Sequence, residues 1–101
     1  MLATTDPVTG LVRETRPDAA RIAVADLAGM IARHGIVALD VVIAVLGRRL
    51  REAASPDVTV TAPAHGELAI HPPEAAAALV EAISAPIDVD GDLVPVRLTL
   101  A

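Results

Sequence analysis

With 101 residues and no internal repeat, the chain has room for one domain around one modest core. Phe, Tyr and Trp are all absent, so that core must be built from Val, Ile, Leu and Ala, and the stacking platforms that hold single-stranded nucleic acid are missing. Thirteen acids against eight basic residues, all arginine, leave a net charge of −5, which argues against a phosphate-backbone partner.

Residues 1–20 carry Asp6-Pro7, Thr9-Gly10 and Arg16-Pro17 punctuation without a sustained period, which reads as an extended, partly ordered lead-in to a domain over 21–101. Arg21 to Leu27 is short and apolar around Ile22 and Val24, as a central strand would be, with Asp26 near its end. A helix running through Ala32 fits the same residues, because periodicity does not separate the two over so short a run. Gly35 closes this unit. From Leu39 to Ala53, Val42, Val45, Leu46, Arg49 and Leu50 fall at helical spacing, with Arg48, Arg51 and Glu52 on the wet side.

Ser55-Pro56-Asp57 ends that helix. Val58, Val60 and Ala62 then alternate with polar neighbours, as do Leu68 and Ile70, so Thr59 to His71 reads as a hairpin bent at Ala64-His65-Gly66. Pro72-Pro73-Glu74 opens a second helix with proline and an acid in its first turn, and Ala76, Leu79, Val80 and Ile83 form its buried stripe. Residues 87–100 read as a second hairpin about Asp90-Gly91, a pair suited to a type I′ turn. Val94, Val96, Leu98 and Leu100 alternate toward one buried face, and Pro95, which cannot donate, belongs at an edge or a bulge. The order strand, helix, hairpin, helix, hairpin predicts an α+β fold, a mainly antiparallel sheet with helices packed on it.

Zero Cys removes disulfides and thiolate zinc sites, and the longest apolar run, 36–46, is too short to span a bilayer and contains Asp40. No basic segment followed by a signal core opens the chain, so a cytoplasmic protein without a membrane role is expected. His65 and His71 flank the central hairpin near Glu67, but without Cys or a spaced repeat they do not make a zinc pattern. Asp88, Asp90 and Asp92 imitate the start of a calcium loop. Leu93 and Thr99 stand where that loop needs Gly and Glu, so a turn explains them better.

Taken in order, these segments resemble the GGDEF domain of bacterial diguanylate cyclases along nearly the whole chain. Asp6-Pro7-Val8-Thr9-Gly10-Leu11 is similar to the opening D-P-L-T-G-L, and Ala25-Asp26-Leu27 to the L-D-x-D-x-F segment. Leu39-Asp40 and Arg48-Arg49-Leu50-Arg51 resemble its second helix, and Ala64-His65-Gly66-Glu67-Leu68-Ala69 lies on G-G-D-E-F-A. The last strand, Val96 to Ala101, resembles V-T-x-S-I-G. The resemblance implies the nucleotidyl-cyclase palm, a ferredoxin-like fold, here shortened before its last helix and that helix's triphosphate-binding basic residues.

The same resemblance assigns Asp26 and Glu67 to Mg²⁺, with Glu67 the remnant of the catalytic acid pair. It assigns Asp40, His65 and Gly66 to guanine nucleotide. It also implies loss: Gly66 replaces the signature acid, Ala64 and His65 replace the two glycines, and the product-binding R-x-x-D reads Ala54-Ser55-Pro56-Asp57. A degenerate domain that binds a protein partner or itself, in GTP or cyclic di-GMP signalling and with no resident cofactor, is the expectation. A residual diguanylate cyclase working as a dimer with Mg²⁺ is the alternative.

Overall fold

The computed structural model describes residues 4–25, 27–64, 66–89 and 91–100, with Leu27 by its backbone only. Ile22 and Val24 anchor the first strand, β1 (Ala20–Val24), in the core. The chain then turns at once into α1 (Leu27–His34), so the two readings of this stretch each hold over one half of it. Gly35, at φ +87°, ends α1 as a left-handed cap whose N–H donates to the Ile31 carbonyl at 2.8 Å.

The longest element, α2 (Val37–Ala53), buries Ala38, Val42, Ile43, Leu46 and Leu50, and starts a little earlier than its periodicity announces. Ile36 and Val37 lie in the open at this corner. Among the described residues no single helix is long and apolar enough to cross a membrane; the α1 and α2 axes meet at 117°, and most of the apolar side chains of α2 are spent on the core.

The central hairpin forms as the alternation predicts. Strands β2 (Thr59–Thr61) and β3 (Leu68–His71) pair antiparallel with Val60 opposite Ile70. A 3-10 turn at Pro73–Ala75 leads into α3 (Ala76–Ile83), which buries Ala76, Leu79 and Ile83. Strands β4 (Ile87–Val89) and β5 (Asp92–Val94) form the expected hairpin, with Gly91 at φ +88°, while Asp90 lies outside the described residues.

The tail departs from expectation. The chain leaves the hairpin ladder at Pro95, and β6 (Leu98–Leu100) crosses to pair antiparallel with β1. Residues 94–100 are therefore not one hairpin arm. Proline has no N–H to extend the β4–β5 pairing, and the free edge of β1 accepts the strand instead. The main sheet has the order β2-β3-β1-β6, all antiparallel, and β4-β5 is a separate small sheet. One face of the main sheet, carrying Ile22, Val24, Leu68 and Ile70, packs with α2 and α3 into a single core.

The lead-in holds more structure than its punctuation suggests. Thr5 bridges Val12, Leu11 is buried in the core, and the Val12 carbonyl accepts from Ala62 N–H at 2.9 Å beside β2. Asp6, only 1% exposed, organises the turn. One carboxylate oxygen accepts from Thr9 N–H at 3.0 Å and Thr9 Oγ1 at 2.7 Å, and the other from Arg13 at 2.8 Å.

Candidate functional site

The bend between β2 and β3 is closed by Glu67 N–H donating to the Ala64 carbonyl at 3.0 Å. Gly66 takes φ +80° there. A Cβ at this position would meet nothing within 4 Å, so the backbone angle, and not crowding, is what calls for glycine. His65 and Asp26 lie outside the described residues.

Leu68 faces Ile22 across the ladder, which sets Glu67 beside Ala23 and diagonal to Arg21 on the outer sheet face. The Glu67 carboxylate is 3.7 Å from the Arg21 guanidinium, and both side chains are about half exposed. Glu67 thus stands next to a cation supplied by the chain. Periodicity alone carried this signal: Arg21 and Glu67 both fall on the polar phase of their strands. Also on this face, His71 Nδ1 is 3.3 Å from Asp18 but not aligned for a hydrogen bond. Asp40 sits in the first turn of α2, exposed, as the helix dipole favours. Among the described residues no three His, Asp or Glu side chains converge as a metal site would require.

Two open clefts flank this sheet. One, of about 410 Å³, lies at the C-terminal end of β1 and is lined by Ala25, Met30, Arg33, Val94, Val96 and Arg97. Gly66, Glu67 and Asp40 are not among its walls. Ala25 N–H donates to the Arg97 carbonyl at 2.8 Å and fixes its floor. No periodicity or motif joins Arg33 with Arg97; the crossing of the chain from β5 to β6 does so. The other cleft, of about 400 Å³, is walled by Leu11, Arg51, Ala54, Ser55, Val58 and Val60. Arg51, one helical turn before Ala54, is part of that wall.

No protein-family model and no curated protein matches the chain. Solved structures do. A sensory box/GGDEF family protein from Caulobacter crescentus superposes with a TM-score of 0.77 at 19% identity, over 95% of this chain and 80% of that one. The FimX GGDEF domain from Pseudomonas aeruginosa gives 0.76 at 17% identity, over 98% of this chain and 78% of its own. The diguanylate cyclase SiaD of the same organism, solved in complex with its activator SiaC, gives 0.74 at 14% identity, over 95% of this chain and 47% of its own. These identities speak for architecture alone, and in architecture the chain has the fold of a GGDEF domain.

Proposed function

We propose that this chain is a GGDEF-like domain that acts by binding, to a protein partner or to its own copy, and does not make a cyclic dinucleotide. The observation that carries this reading is the bend. Gly66 stands in the place of the signature acid, and Glu67 has the Arg21 guanidinium 3.7 Å away. Phosphoryl transfer of this kind depends on carboxylates that gather divalent metal and on cations that hold the triphosphate. A lone carboxylate already next to an arginine is a poor nucleus for such a site.

Protein partnering has a parallel in SiaD, whose structure includes its activator. Binding of GTP or cyclic di-GMP is the lesser part of the proposal, with Mg²⁺ arriving only with nucleotide and no resident cofactor. A cytoplasmic setting in cyclic di-GMP signalling goes with this reading.

The deciding experiment incubates the protein with GTP and Mg²⁺ and separates the products by chromatography. No cyclic dinucleotide is expected. Product that disappears in Asp26→Ala would overturn the proposal and leave a residual diguanylate cyclase. Calorimetric titration with GTP and cyclic di-GMP, with and without Mg²⁺, measures the nucleotide part separately.

A further inference from the structure

The outer edge of β2 borders the cleft walled by Leu11, Val58 and Arg51, and Val60 belongs to both. In an antiparallel sheet the backbone groups of successive residues turn to opposite sides. Ala62 N–H turns away from β3, since it donates to the Val12 carbonyl. By alternation Thr59 and Thr61 bond to their partners His71 and Ala69, while the N–H and C=O of Val60 turn outward. The same phase carried across the sheet turns Ala25 toward β6, where its N–H does donate to Arg97.

The lead-in covers this edge only at Ala62. On the far side of Val12 it bends back at Thr9-Gly10, where Thr9 Oγ1 accepts from Leu11 N–H at 3.2 Å. Among the described residues nothing bonds to the outward N–H or C=O of Val60. Its side chain shares the core side with its partner Ile70 and is only partly buried, at the cleft.

A free N–H and C=O on one edge residue match those of one residue in an extended peptide, in spacing and in sense. The cleft adds two requirements. Leu11, Val58 and Val60 suit an aliphatic side chain, and Arg51 suits a carboxylate. The Arg51 side chain lies against Gly10, its Nη1 3.4 Å from where a Cβ would stand there, and among the described residues no carboxylate pairs with it. Glu52 and Asp57, the acids nearest to it in sequence, are not in the wall.

We propose that β2 takes up an extended, acidic segment of a partner protein as an added antiparallel strand. One aliphatic residue of that segment exchanges both bonds with Val60 and fills the cleft. A carboxylate two residues later, on the same side, reaches Arg51. The order follows from the cover at Ala62: Val12 blocks the added strand on that side, so it runs from Val60 toward Val58 and the end of α2. The proposal rests on the reading that the chain works by binding and gives that reading a surface and a partner chemistry.

The test titrates the isotope-labelled chain with N-acetylated, C-amidated pentapeptides that have valine, isoleucine or leucine second, glutamate fourth and threonine elsewhere. At least one of the three is expected to shift the Val60 amide resonance saturably. Replacing its glutamate by lysine, or methylating the backbone nitrogen of its aliphatic residue, is expected to weaken binding at least about tenfold. Arg51→Gln is expected to keep the Val60 shift and lose the preference for glutamate over lysine. No saturable shift at Val60 with any of the three, or equal binding of the glutamate and lysine forms, would overturn the proposal. So would self-association that shifts Val60 without peptide, which would give the edge to a second copy. Cyclic dinucleotide formed from GTP, read in its own assay, would strike the binding reading instead.

Discussion

A Cβ added to Gly47 would stand 3.0 Å from both Cβ and Cγ2 of Thr9, so this helical glycine is the seat on which the N-terminal turn rests against α2. The contact joins the buried Asp6 network to the longest helix of the fold.

Gly47→Ala should therefore destabilise the protein. At an open helical position the change would gain about 1 kcal/mol, but overpacking a filled site costs about 1–3 kcal/mol. A net loss of about 1 kcal/mol is expected in urea unfolding. Adding Thr9→Ser, which removes Cγ2 but keeps Cβ and the hydroxyl bonded to Asp6, should restore part of it.

Asp6→Ala removes a buried acceptor of two bonds from Thr9 and one from Arg13. Stranding those donors should cost about 2–3 kcal/mol. Because Arg13 is 27% exposed and can reach water, the loss should stay below that for a fully buried pair. Chemical denaturation measures the total, and amide exchange at Thr9 and Leu11 should rise more than in β3.

Arg49 of α2 donates to the carbonyls of Ile83, Ala85 and Pro86 at 3.1, 2.6 and 3.1 Å. The last turn of α3 has no basic residue of its own, so this guanidinium serves as its cap and ties α3 to the start of β4. Arg49→Met should lower stability by about 2 kcal/mol. Arg49→Lys should recover less than half, since an ammonium cannot spread its donors over three carbonyls in one plane.

At Gly66 the strain is in the backbone alone. Gly66→Ala should cost about 1 kcal/mol through its positive φ, with no packing loss. Gly66→Asn should cost less, because Asn tolerates this region. Gly66→Asp, which places a carboxylate at the bend, should fold and still give no cyclic dinucleotide from GTP and Mg²⁺. Turnover by this single variant would locate the defect at Gly66 alone and show that the pairing of Glu67 with Arg21 does not by itself prevent catalysis.

Much of this was legible in the residues. The spacing of Val42, Leu46 and Leu50 fixed a helix, the alternation of Val60, Leu68 and Ile70 fixed the central hairpin, and Gly91 marked the turn of the second hairpin. These features depend on the period of a side-chain pattern, and a period is a local property. The likeness of Asp6 to Leu11 and of Ala64 to Ala69 to a known domain pointed to the architecture as well. That Gly66 sits at the bend could also be read early, because a glycine between two alternating runs marks a reversal without coordinates.

The sequence by itself determined most of the elements and the aliphatic core, since each follows from residue type and local spacing. Only the tertiary structure decided that Thr9 packs on Gly47, that Arg49 caps a helix it does not belong to, and that Glu67 stands beside Arg21. It alone took β6 away from its apparent hairpin and laid it against β1. Those outcomes turn on which backbone edge and which carbonyls are left unpaired once the layers assemble, and that competition is settled across the whole chain at once.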